Sequence, residues 1–71
     1  MSLEEARVGE EYPVKDILVE DEDLRSFLFS LGCYSGEPIT VISHGRGGCV
    51  VSIKDARYNM DTDLAKAISL T

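Results

Sequence analysis

Residues 21–43 read DEDLRSFLFSLGCYSGEPITVIS, and they describe a short amphipathic helix, a glycine-ended turn and a half-buried strand. Leu24, Phe27, Leu28 and Leu31 fall at i, i+3, i+4 and i+7, which is one apolar stripe on a helix. Asp21 precedes the stripe as an N-cap. Glu22 and Asp23 put negative charge at the end of the helix dipole that favours it. Gly32 stands where the stripe ends, and a residue there usually turns left-handed, which glycine does at little cost. Gly36 reverses the chain again, and Pro38 leads into the β-branched run Ile39-Thr40-Val41-Ile42.

Outward from this stretch the signals are mostly of strands. Ser2-Leu3-Glu4-Glu5 has the spacing of a capping box, with Leu3 and Ala6 anchoring one short turn before Gly9. Glu11–Ile17 alternates at Tyr12 and Val14, then shifts phase at Ile17, as a bulged or bent strand does. Pro13 removes a ladder donor, which places this strand at a sheet edge or at its own start. After the strand Glu37–Ser43, His44-Gly45-Arg46-Gly47-Gly48 reads as a mobile hairpin loop. Cys49–Ile53 alternates again, Lys54-Asp55-Ala56 is a tight connection, and Tyr58 and Met60 point inward from a fourth strand. Asp61 caps a helical turn holding Leu64 and Ala65, and Ala67–Leu70 closes the chain. Five short strands in so small a chain lose their edges best by curling up. The expected fold is mainly β: a small five-stranded SH3-like barrel with one or two short helices, in a single domain over residues 1–71.

Charge narrows the function. Seven Lys and Arg face thirteen Asp and Glu in 71 residues, a net charge of −6. Nucleic-acid binding draws most of its affinity from neutralising phosphates, so an acidic domain begins at a disadvantage there. The same holds for anionic membranes. No apolar run approaches the roughly 20 residues that span a bilayer, and the acidic start lacks the apolar core of an export signal. Two cysteines, Cys33 and Cys49, form neither a disulfide framework nor a metal or redox spacing. They read as buried thiols of a cytoplasmic protein.

No catalytic constellation is present. His44 has no nucleophile or carboxylate at a telling spacing. It reads as a solvated loop histidine, with a loose metal contact beside Cys49 as the sharper alternative. Gly45-Arg46-Gly47-Gly48 lacks the Lys-Ser/Thr of a phosphate loop, and Asp61-Thr62-Asp63 lacks the terminal Glu of a calcium loop.

Leu28-Phe29-Ser30-Leu31-Gly32-Cys33-Tyr34-Ser35-Gly36-Glu37 resembles the Leu-x-x-Leu-Gly-x-x-x-Gly element of the FeoA family of bacterial ferrous iron transport. Leu3, Gly9, the strand Ile39–Ile42, and Ile53–Asp61 followed by Leu64–Ile68 extend the resemblance over nearly the whole chain. Ser35 departs from the proline that family members often carry, which loosens the turn. The same barrel closes DtxR-type repressors, but no winged-helix segment is found here. The resemblance implies a non-catalytic cytoplasmic accessory protein without a cofactor. Its implied partner is FeoB, the permease with a cytosolic GTP-binding domain.

If docking uses the helix and turn, Phe29, Cys33 and Tyr34 are the apolar candidates, and Asp21, Glu22 and Asp23 the steering charges. A homodimer could form through the strand edge at Pro13 or the apolar turn. One rival is a weak carrier or sensor of ferrous iron or another divalent metal, with ligands drawn from His44, Cys49, Cys33 and carboxylates. A more distant rival is a KOW-like nucleic-acid-binding barrel at Pro38–Gly48, where only His44 and Arg46 offer positive charge.

Overall fold

A computed structural model describes residues 1–71. A 3-10 turn (Leu3–Glu5) precedes β1 (Glu11–Ile17), α1 (Glu22–Leu31), β2 (Pro38–Gly45), β3 (Gly48–Ile53), β4 (Ala56–Asp61), α2 (Thr62–Ala67) and β5 (Ile68–Leu70). The five strands form one antiparallel sheet in the order β4-β3-β2-β1-β5. This is the expected small barrel with two short helices.

The sheet curls because β1 serves two partners. Glu11–Pro13 pairs with β2, Val14–Ile17 pairs with β5, and the register shifts between Val14 and Asp16. The phase break at Ile17 therefore marks a real bulge. Pro13, however, is not at an edge. It lies opposite Pro38 at the last pair of the β1–β2 ladder. Bonds to the segment before β2 continue past this pair, for the Val14 N–H donates to the Glu37 carbonyl at 2.9 Å and the Gly36 N–H to the Val14 carbonyl at 2.8 Å. Pro13 turns its own polar groups toward β5, so its missing N–H costs the β1–β2 ladder nothing. The Pro13 carbonyl is still used, accepting from the Thr71 N–H at 3.0 Å.

Fifteen apolar side chains form the core, among them Leu3, Val14, Leu28, Ile39, Val41, Val51, Ile68 and Leu70. No polar or charged side chain is buried. Helix α1 sits on this core through Leu28, which is buried, with Leu24 and Leu31 half-buried beside it. The apolar stripe is thus narrower than its spacing suggests. Phe27 stands about 100° around the helix from Leu28 and is 58% exposed.

Both hairpins are tight. His44 and Gly45 belong to β2 and Gly48 to β3, so the expected five-residue loop contracts to Arg46-Gly47. Its far side is pinned by the Thr62 N–H, which donates to the Gly47 carbonyl at 3.2 Å. Lys54 and Asp55 join β3 to β4 with φ of 48° and 68°, the two left-handed residues of a type I′ turn.

Gly48 has φ +145°, and a Cβ on it would lie 1.8 Å from the Met60 carbonyl oxygen in the neighbouring strand. Gly48→Ala should therefore destabilise the barrel by about 3 kcal/mol. Gly47→Ala, with nothing within 4 Å, should stay within about 0.5 kcal/mol of the parent. Urea unfolding of the two variants checks this, and equal midpoints would contradict it.

Candidate docking surface

The end of α1 is built by one glycine. Gly32 has φ +97°, and its N–H donates to the Phe29 carbonyl at 3.0 Å while the Cys33 N–H donates to the Leu28 carbonyl at 2.9 Å. This is the Schellman closure, and its accompanying apolar contact is supplied by Leu28 and Cys33, both buried. At the other end the Asp21 carboxylate accepts from the N–H groups of Asp23 and Leu24 at 2.9 and 3.2 Å, the cap its position implies. Arg25 braces the middle. Its guanidinium donates to the carbonyls of Ile17 and Val19 at 2.5 and 3.2 Å, tying α1 to the end of β1.

The turn after Gly32 carries Tyr34 back beside the helix. The Tyr34 and Phe29 rings stack with centroids 4.6 Å apart and planes at 29°, the offset arrangement that aromatic pairs favour. The Tyr34 hydroxyl donates to Glu37 Oε1 at 2.9 Å, and Lys54 Nζ reaches the same oxygen at 2.7 Å. The ammonium also lies 5.8 Å from the Tyr34 ring centroid, within cation–π range. Hydrogen bonds from Lys54 and then Tyr34 hold the Glu37 carboxyl below its usual value, and Glu37 in turn holds Lys54 above its own. Both groups are solvent-facing, so the pair acts mainly by orienting Tyr34.

Of the residues expected to meet a partner, the structure brings Phe29 and Tyr34 together and separates the rest. Phe29 is 58% exposed and Tyr34 half-buried. Cys33 is 1% exposed and offers no contact area, because the Schellman closure turns it into the core. Burial pushes its thiol up to about 11 and raises that of Cys49 too, so both stay protonated and unreactive. Asp21, Glu22 and Asp23 are exposed in the first turn, about 10 Å along the helix from Phe29. A shallow groove of about 280 Å³ runs between Arg25, Ser26, Phe29 and Tyr34, floored by Ile17 and Cys33.

Two residues of α1 escaped the sequence reading, Arg25 on the Phe29 flank and Phe27 on the opposite one. Phe27 was placed in the buried stripe, and Arg25 was given no role. The signal for Phe27 was present in Phe27-Leu28-Phe29. Neighbours on either side of a buried helical residue stand about 200° apart, so both cannot follow Leu28 inward.

The histidine is not a free loop residue. His44 pairs with Cys49 across the β2–β3 ladder, and its Nε2 lies 2.7 Å from the Ala6 carbonyl oxygen, to which it donates. His44 and Cys49 also line a second groove of about 290 Å³ with Ser43 and Asn59, and burial keeps the Cys49 thiol protonated there. Nowhere do three His, Cys, Asp or Glu side chains stand close enough to hold a metal ion. No helix is long and apolar enough to cross a membrane.

Comparison with known proteins agrees with this architecture. The FeoA domain family matches over residues 1–71. A crystal structure of an iron uptake regulatory protein, FeoA, superposes with TM-score 0.83 at 27% identity, over 99% of this chain and 93% of that one. FeoA of Stenotrophomonas maltophilia, solved with zinc and described as an SH3 domain protein, gives TM-score 0.85 at 20% identity, over 100% of this chain and 89% of that one. A manganese-dependent transcriptional repressor gives TM-score 0.82 at 23% identity, over 96% of this chain but 39% of that one, so the likeness is to one part of the repressor. No curated protein matches the sequence. The barrel is SH3-like, and the chain belongs to the FeoA domain family, whose role lies in ferrous iron transport.

Proposed function

We propose that residues 1–71 form one non-catalytic accessory module of bacterial ferrous iron uptake. It docks in the cytoplasm on the cytosolic part of a FeoB-type permease and modulates transport. The observation that carries this reading is the distribution of exposed apolar surface. Of the five large apolar side chains left exposed, Leu18, Phe27 and Phe29 lie on α1 or the segment leading to it. A ten-residue helix that keeps one buried seam and shows a phenylalanine to solvent on each flank of it is built to be covered.

The arrangement suits protein recognition. Phe29 is held by its stack on Tyr34, and Tyr34 by Glu37 and Lys54, so little side-chain entropy is lost on contact. Asp21, Glu22 and Asp23 lie beyond this aromatic centre, where exposed charges set encounter rate more than affinity. The net charge of −6 works against nucleic acid as the partner. Iron enters this reading as the cargo of the permease.

Titration calorimetry with the cytosolic domain of the same organism's permease, loaded with GTP analogue or GDP, tests the reading. Saturable binding is expected, weakened roughly tenfold or more by Phe29→Ser and by Phe27→Ser. Unchanged affinity in both variants would exclude α1 as the contact. Stoichiometric uptake of ferrous iron without permease binding would favour a carrier instead.

The Glu37–Lys54 pair gives a second prediction. A carboxyl held low contributes stability above its unfolded value of 4.5 and loses it as pH falls through the lower folded value. An ammonium held high contributes below its unfolded 10.5 and loses this as pH rises through the folded value. Glu37→Gln should therefore lower the melting temperature at neutral pH. The difference from the parent should shrink as pH falls below 4.5 and through the lower folded value. A difference that persists unchanged in acid would mean the pair plays no such part.

A further inference from the structure

Four of the five strands have both edges occupied. β1, β2 and β3 lie inside the sheet. The free side of β5 is covered by the chain start, where Ser2 bridges Ser69 and the Leu70 N–H donates to the Met1 carbonyl at 2.7 Å. The outer edge of β4 is left. In a two-residue hairpin Ile53 and Ala56 make the first hydrogen-bonded pair. Val51 with Tyr58 and Cys49 with Met60 then carry the β3–β4 ladder. The N–H and C=O groups of Arg57 and Asn59, and the N–H of Asp61, consequently face out of the sheet. No turn, loop or cap bond engages them.

The side chains along that edge have a symmetry of their own. Arg57, Asn59 and Asp61 alternate on the outer face and all are exposed. When two copies of β4 run antiparallel about a two-fold axis at Asn59, Asn59 meets itself and Arg57 meets Asp61 of the other copy, twice over. Opposite charges directly across an antiparallel pair are favourable. Other centres lose that match: an axis at Tyr58 sets Arg57 against Asn59, one at Met60 sets Asn59 against Asp61, and one at Arg57 or Asp61 sets like charges against each other.

We propose that a second copy of this chain adds to the outer edge of β4, antiparallel and centred on Asn59, giving a weak symmetric dimer whose sheet continues through the two-fold axis. The two Asn59 residues exchange backbone hydrogen bonds, and each Asp61 N–H donates to the Arg57 carbonyl of the other copy. A six-residue strand cannot bury the area of a permanent interface, so the dissociation constant is on the order of 100 μM. The contact lies away from α1 and does not depend on the docking reading.

Sedimentation equilibrium of the full chain from about 10 μM to 1 mM tests the dimer. A monomer–dimer equilibrium is expected, weakened about tenfold by Arg57→Glu, which sets two carboxylates against each other. Asn59→Pro, which removes only an outward N–H, should abolish it. The register is read by mild oxidation. Asn59→Cys should cross-link between copies, because facing hydrogen-bonded residues have Cα atoms about 5.5 Å apart, within disulfide reach. Arg57→Cys should not, since its own counterpart lies too far along the strand. The native thiols are buried and do not compete. A monomer throughout the range, association indifferent to Arg57→Glu and Asn59→Pro, or equal cross-linking at both positions would each overturn the proposal.

Discussion

The left-handed turn at Gly32 is the constraint on which the functional face depends. Two conditions meet there. The backbone needs φ +97°, and the space where a Cβ would stand is taken by the Lys54 side chain, with Cδ and Cε at 2.8 Å. Only glycine meets the first cheaply, and the second lets the Lys54 stem cross the helix end on its way to Glu37. From this one residue follow the burial of Cys33, the return of Tyr34 to Phe29, and the seat of α1 on the barrel. A side chain at Gly32 would disturb the barrel contact and the aromatic pair together.

A second constraint acts on the sheet. Val14 is shared between two ladders, its N–H donating to the Glu37 carbonyl while it lies opposite Leu70 of β5. The bulge that follows turns β1 from β2 toward β5. The core is then enclosed by five short strands, and the chain start seals β5. The barrel is accordingly rigid where it is paired, and its surface differs from place to place. Exposed apolar side chains collect at α1, and unpaired backbone collects at β4.

Much of this was legible in the sequence because the signals were local. The caps at Asp21 and Asp61, the stop at Gly32 and the phase break at Ile17 each rest on a few neighbouring residues. The errors concern long-range partners. Pro13 looked like an edge because a missing donor usually means one, whereas its donor side faces Thr71, just past the end of β5. His44 looked like loop because glycines surround it, yet Ala6, far away in sequence, supplies its hydrogen bond. Phe27 joined the stripe by spacing, but it stands about 100° around the helix from the buried Leu28 and stays exposed. The aromatic pair proposed for docking was legible only as residues: Phe29 and Tyr34 could be named, while their stacking and the Glu37–Lys54 support required the fold.

We propose α1 and its aromatic turn as the face this FeoA-family chain offers to a permease. Hydrogen–deuterium exchange of the chain with and without the permease's cytosolic domain tests this most directly, because it maps contact without altering a residue. Slowed exchange confined to residues 22–34 is expected on binding. Protection centred on β4 or on the Arg46-Gly47 hairpin, with α1 unchanged, would contradict it.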